Sequence, residues 1–330
     1  MNKKYSELAE LFRSEKTDEE ILDFLLNYHK NDIADMMAGM TEEERKRLYH
    51  LLGAQKVAEI FKYIEEPRKY IRELSVESAA RVISEMDSDD AVDLLEDLDP
   101  EEKEQIVRML DEDAKKDVKM LLSYDEEEIG SCMTTNYICI PENLTIRQAM
   151  SELVKQAGEN DNIMTIYVVD EKGVFAGAID LKDLIRAREN AHLEDLVLKS
   201  YPYVTDHEKI DDCMDRILDY AEDSIPVLSE DKKILGVITS EDLIEMVDNE
   251  MGEDYAKLAG LTAEEDLKEP TLQSMKKRLP WLIILLFLGM AVSSVVGLFE
   301  NVVAVLPIVI CFQSLVLDMA GNVGTQSLAV

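Results

Sequence analysis

Short apolar runs, each broken by Ser, Thr or Asp with acids behind it, fill the first 127 positions. The runs repeat. AARVISEMDSDDA (79–91) aligns with AVDLLEDLDPEEK (91–103) at a shift of 12 residues, and DIADMMAGMTEEERKRL (32–48) with DAVDLLEDLDPEEKEQI (90–106) at a shift of 58. Each unit reads as a short apolar helix, a capping residue followed by acids, and a further helix. Acids suit the positive N-terminal end of a helix. No strand-type alternation appears. The pattern predicts an all-α superhelical domain over 1–127, closed by Glu126–Gly130.

A different period follows. IYVVDEKGVFAGAIDLKDLIRA (166–187) aligns with IPVLSEDKKILGVITSEDLIEM (225–246), pairing Gly177 with Gly236 and Asp183 with Asp242 at a shift of 59. Each copy reads strand, turn, strand, then a helix. Upstream of each lies a β-like stretch with an amphipathic helix, YICIPENLTIRQAMSELV (137–154) and YPYVTDHEKIDDCMDRIL (201–218). Two α/β halves are expected, over 128–192 and 193–248. An acidic connecting helix is expected over 249–275.

The last pattern is greasy. Leu279 to Phe299 is 21 residues without a charge, and about 20 are needed to cross a bilayer core. Lys276, Lys277 and Arg278 precede it, with Trp281 at its start. This arrangement predicts a transmembrane helix with the N-terminal body in the cytoplasm. A second hydrophobic segment begins at Val302 and turns polar in FQSLVLDMAGNVGTQSLAV (312–330). Asp318, Asn322, Thr325 and Gln326 offer oxygen ligands that lipid would not tolerate, and Gly321 and Gly324 allow close backbone approach. The run is read as the lining of an ion pathway, or as a polar helix–helix seam. Two spans cannot make a pore alone: either several chains assemble, or 276–330 is the start of a longer, truncated membrane domain.

Charge sharpens this picture. The 330-residue chain carries 35 Lys+Arg against 70 Asp+Glu, a net charge of −35. Residues 1–278 hold 35 bases and 68 acids, so an acidic body precedes a nearly uncharged tail. Such a surface excludes nucleic acid as a partner and favours cations. MNKKYSELAELFRSEK is too polar and too mixed in charge for a secretion signal. Cys132, Cys139, Cys213 and Cys311 lack CxxC spacing and read as buried thiols in a reducing compartment. His29, His50, His192 and His207 are scattered, which argues against zinc. No nucleophile–base constellation or Walker motif points to an enzyme.

The paired halves over 130–248 resemble a tandem of cystathionine-β-synthase (CBS) domains. Such pairs often bind adenine nucleotides through Gly-x-x-Thr/Ser-x-x-Asp, which the second copy has as Gly236, Thr239 and Asp242. The first copy has Asp180 in the Thr place, where a carboxylate would repel phosphate. The resemblance therefore implies ATP or AMP in one cleft only.

The order of segments, with RLPWLIILLFLGMAVSSVVGLFE and AGNVGTQS, resembles the MgtE family of Mg²⁺ transporters and channels. The family has five transmembrane helices per subunit and forms homodimers in the cell (plasma or inner) membrane. The resemblance implies a multi-pass Mg²⁺ pathway whose cytosolic domains close the pore when Mg²⁺ is high. By position it implies metal sites at Asp89, Asp93, Asp211, Asp242, Glu245, Glu250, Glu253 and Asp254. It implies pore lining at Gly321 and Asn322, beside Asp318 and Thr325; Asp318 replaces a family glycine. Glu250, Glu253 and Asp254 share one helix face, as do Asp89 and Asp93. Like charges about 6 Å apart at an effective dielectric near 20 repel by roughly 2–3 kcal/mol, which divalent ions would relieve. Oxygen donors accept Mg²⁺, Mn²⁺ and Co²⁺ alike. Two alternatives stay open: a transporter regulated mainly by adenine nucleotide at the CBS pair, and a membrane-tethered interaction protein without transport.

Overall fold

The structure is a computed structural model. It describes residues 17–247 apart from 65, 159, 189 and 190, then 271–298, 312, 315, 316 and 318–324. Two compact units divide the chain, Met1–Asp242 and Leu243–Val330.

The first unit begins with helices α1 (Asp18–Leu25), α2 (Lys30–Met37), α3 (Glu42–Phe61), α4 (Pro67–Ile71), α5 (Val76–Ser84), α6 (Ser88–Glu96), α7 (Pro100–Met109) and α8 (Glu112–Leu121). Both repeats seen in the sequence recur as helix starts. The N-caps of the first half are Thr17, His29 and Thr41, and α3 breaks 12 residues later at Gly53, whose φ of 76° leaves the helical region. The N-caps of the second half are Ser75, Asp87, Asp99 and Asp111, again 12 apart and each 58 beyond its counterpart. Thr17 and Thr41 form reciprocal capping boxes with Glu20 and Glu44, which satisfy backbone N–H groups the helix leaves orphaned.

Helices this short are marginal alone and depend on packing. Alternate helices stack, α5 on α7 and α6 on α8, burying Ile83, Leu94, Leu95 and Leu121 between them. Arg45 is buried where α3 meets the turn after α4. Its Nε donates to Glu73 Oε2 at 2.8 Å, a second guanidinium nitrogen pairs with Glu73 Oε1, and Nη1 donates to Met37 O at 3.2 Å.

After a 3₁₀ turn at Ile129–Cys132 comes the paired module. Its first half has β1 (Ile138–Pro141), α9 (Ile146–Gln156), β2 (Thr165–Val169), β3 (Phe175–Asp180) and α10 (Leu181–Arg186). Its second has β4 (Val204–Thr205), α11 (Ile210–Tyr220), β5 (Ser224–Leu228) and β6 (Ile234–Thr239), followed by a helix over 240–247. Each half is a three-stranded sheet with one parallel and one antiparallel pair. Even the register shift repeats, at Val168/Val169 and at Val227/Leu228.

The halves exchange entry segments. Thr134, on the way into the first half, bridges to Val237 on β6; Leu198, on the way into the second, bridges to Ala178 on β3. Gly236 and Gly177 make room for this. A Cβ on Gly236 would lie 2.7 Å from Thr134 O, and one on Gly177 2.6 Å from Leu198 O. Tyr167 closes the seam, its hydroxyl 2.6 Å from Ser224 Oγ in the other half.

The second unit contains α12 (Thr271–Leu298), with Pro280 inside it, and helical residues at 318–324. Among the described residues no helix is long and apolar enough to cross a membrane. The membrane-spanning expectation is therefore not shown here. Of the cysteines, Cys213 is buried, while Cys132, in the 3₁₀ turn, and Cys139, on the edge strand β1, are half-buried rather than enclosed; all three are free. Cys311 lies outside the described residues.

Candidate functional site

The start of α6 meets the paired module. Asp87 caps the helix but makes no side-chain bond to its own backbone, because both its oxygens are drawn elsewhere. One pairs with the Lys62 ammonium; the other accepts from Asn136 Nδ2 at 2.9 Å, and Asn136 Oδ1 accepts in turn from Asp161 N at 2.9 Å. Next to it, Ser88 Oγ accepts from Thr135 N at 2.9 Å, and Thr135 Oγ1 donates to Asp117 Oδ2 at 2.8 Å. These bonds tie α6 and α8 to the segment entering the first α/β half.

Behind these bonds lie Asp89 and Asp90, in the first turn of α6. Asp89 is half-buried as a residue, but its Oδ1 is sealed from solvent and meets no hydrogen-bond partner among the described residues. Burial pushes its carboxyl well above the usual aspartate range, and the charges of Asp242, Asp90 and Asp87 push it further. Burial raises Asp90 to about 6 despite Lys62, whose Nζ lies 3.6 Å from Asp90 Oδ2. Asp242 is raised by burial too, against the hydrogen bonds it accepts from Thr239. Three carboxyls that resist ionisation thus cluster in one place, Asp90 offset in part by Lys62, and a proton or a cation would relieve the charge on Asp89 and Asp242.

Asp242 owes its position to the second α/β half. It accepts from Thr239 N at 2.7 Å, and its own N–H donates to Thr239 Oγ1 at 3.3 Å. Thr239 and Asp242 thus form a reciprocal cap that starts the helix over 240–247 and fixes the carboxylate beside α6. The same two residues, with Gly236, are the expected nucleotide signature. Gly236 is covered by Thr134 and Met133. Asp180, at the matching place of the first half, makes no cap bond.

The other expected site residues fall in several places. Asp93 is exposed on α6, near enough to Cys132 to act on its thiol. That thiol is pushed up to about 11, first by burial and then by Asp93, Asp242 and Asp89, so it stays protonated and unreactive. Asp211 is exposed in the first turn of α11, and Glu245 is exposed on the helix over 240–247. Glu250, Glu253, Asp254 and Thr325 lie outside the described residues. Asp318, Gly321 and Asn322 are helical and exposed in the second unit. Among the described residues no three His, Cys, Asp or Glu side chains converge closely enough to hold an ion by themselves. The structure brings together Asp89 and Asp242 and adds Asp87, Asp90 and Lys62, which the sequence did not single out. Asp87 reads in sequence as one more repeat cap, and Lys62 is 25 residues away from its partner.

Comparison with known proteins agrees with this architecture. The family model of the MgtE intracellular N domain matches residues 28–127, and that of the CBS domain matches 127–190 and 193–249. The magnesium transporter MgtE of Enterococcus faecalis is 39% identical over 100% of this chain and 73% of its own length. MgtE of Bacillus subtilis is 31% identical over 63% of this chain, but the match spans only 46% of that protein. Among solved structures, the soluble part of a magnesium transporter superposes with a TM-score of 0.71 at 30% identity, covering 75% of this chain and 98% of that one. The cytosolic domain of the Mg²⁺ channel MgtE in complex with ATP superposes with a TM-score of 0.65 at 26% identity, covering 73% and 99%. By its match along its whole length to 73% of the E. faecalis transporter, its N domain and its CBS pair, the chain belongs to the MgtE family of magnesium transporters.

Proposed function

We propose that the chain is the sensing body and the first membrane helices of a homodimeric Mg²⁺ transporter of the cell membrane, and that it is not an enzyme. In this reading the acidic junction between helical domain and CBS pair responds to cytosolic Mg²⁺ and closes the pore when the ion is abundant. The observation that carries it is the Asp89 carboxyl, one oxygen sealed and without a hydrogen-bond partner among the described residues, and pushed upward by the charge of Asp242. With little Mg²⁺ the two carboxylates repel and the domains part; a hydrated divalent ion bridges them and draws the domains together. Mg²⁺ keeps much of its water, so two carboxylates with water filling the remaining positions suit it better than a closed cage. Mn²⁺ and Co²⁺ accept the same oxygens.

Asp93, Asp211, Glu245, Glu250, Glu253 and Asp254 are proposed as further acids of the sensing surface. Leu279–Phe299 is proposed as the first span, supported by its 21 uncharged residues behind Lys276, Lys277 and Arg278. Asp318, Gly321, Asn322 and Thr325 are proposed to line the ion pathway. The test uses the full-length transporter in liposomes. Asp89→Asn combined with Asp242→Asn should leave Mg²⁺ flux intact at low internal Mg²⁺ but abolish its arrest at high internal Mg²⁺. Arrest at the wild-type concentration would overturn the reading.

A second reading has one observation in its favour, the ATP complex of a 26%-identical neighbour. The Gly236–Thr239–Asp242 corner is where a nucleotide would sit in this chain. Calorimetry of the full-length protein separates the two: ATP heat that saturates without Mg²⁺ and is lost in Thr239→Ala favours the nucleotide reading, and Mg²⁺ heat lost in Asp89→Asn favours the cation reading.

A further inference from the structure

Lys62 follows the last turn of α3, on the helical domain, and its ammonium lies among the acids of α6. Its Nζ pairs with Asp87 and lies 3.6 Å from Asp90 Oδ2. Burial opposes the charged form, but Asp87, Asp90 and Asp89 hold the ammonium charged with a raised pKa. Asp87 is then fully engaged, by Lys62 on one oxygen and Asn136 on the other. Asp89 is not: its Oδ1 is sealed and has no hydrogen-bond partner among the described residues. The acids thus divide into Asp87 and Asp90, which share one ammonium, and Asp89 and Asp242, which form no ion pair with a cationic side chain among the described residues.

We propose that Lys62 is a tethered monovalent cation that holds Asp87 and Asp90, leaves Asp89 and Asp242 to a divalent ion, and so sets the Mg²⁺ concentration at which the junction closes. This rests on the cation reading of the Asp89–Asp242 site. A fixed positive charge within a few ångströms raises the energy of any incoming dication, and at an effective dielectric near 20 the effect outweighs thermal energy severalfold. Lys62 therefore desensitises the site. It is a positioning residue for charge, not an ion ligand.

The test titrates MgCl₂ into the full-length protein in detergent, at ionic strength held constant with NaCl, and reads protease protection of the junction. Lys62→Met should lower the half-protecting Mg²⁺ concentration by about tenfold, and Lys62→Arg should leave it near wild type. Asp90→Asn should raise it, because a carboxylate is lost while the ammonium stays. Both Lys62→Met and Asp90→Asn break the same ion pair, so a merely structural Lys62 would move both in one direction. Shifts in the same direction, or a Lys62→Met titration coincident with wild type, would overturn the proposal. Asp89→Asn in the same assay keeps the two readings apart. If it leaves the Mg²⁺ requirement unchanged, the cation site itself fails. If it raises the requirement while Lys62→Met matches wild type, only the role of Lys62 fails.

Discussion

At the scale of single residues, the helical domain depends on a few polar side chains whose partners lie far along the chain. Arg45 and Glu73 are the clearest, with side chains only 8% and 11% exposed. Breaking a buried pair by removing one partner leaves a charge with nothing to meet, at a cost of roughly 3–5 kcal/mol. Glu73→Ala should therefore lower the unfolding free energy of the full chain by about 3 kcal/mol, measurable by urea titration. A loss under about 0.5 kcal/mol would mean the guanidinium finds water instead. Such pairs were invisible in the sequence, because nothing in the spacing of Arg45 and Glu73, or of Lys62 and Asp87, marks them as neighbours. Thr17, Thr41 and Ser75 were legible: a hydroxyl before acids and an apolar run is local information, and helix capping is local chemistry.

At the scale of elements, the repeat shifts of 12 and 58 were readable and became the spacing of helix starts. What they lead to at α6 was not. Asp89 and Asp90 look like any acids in a first turn until the fold places Asp242 beside them. That arrangement gives a pH dependence with a definite sign. The folded carboxyl of Asp90, at about 6 against an ordinary 3.8, binds its proton more tightly than the unfolded one, and Asp89 shifts the same way. Their contribution to closing the junction is present at low pH and is lost as pH rises through about 6. Without divalent ions, protease protection of the junction should fall between about pH 4 and about pH 7, from the ordinary carboxyl value to just above the raised one. Mg²⁺ should restore it at the upper end. Flat protection over that range in EDTA would show that these acids do not oppose one another.

At the scale of the whole molecule, order along the chain carried the family: acidic helices, a paired α/β module, then an uncharged run. The exchange of entry segments between the two α/β halves was not readable, because a bridge between Thr134 and Val237 has no local signature. Its consequence concerns fragments. Family models divide the module at 190/193, as though each copy were complete. A protein cut there would lose, on each side, the segment that covers β3 or β6, leaving an edge strand with unmet N–H and C=O groups and a bare glycine notch. Either copy expressed alone should elute as an aggregate in size-exclusion chromatography, whereas the two co-expressed as separate chains should assemble into one soluble 1:1 particle. Two well-behaved monomers would show that the exchange is dispensable. The two copies look interchangeable in sequence, but each supplies the strand edge cover that the other lacks, so the unit to clone and handle at the bench is the pair.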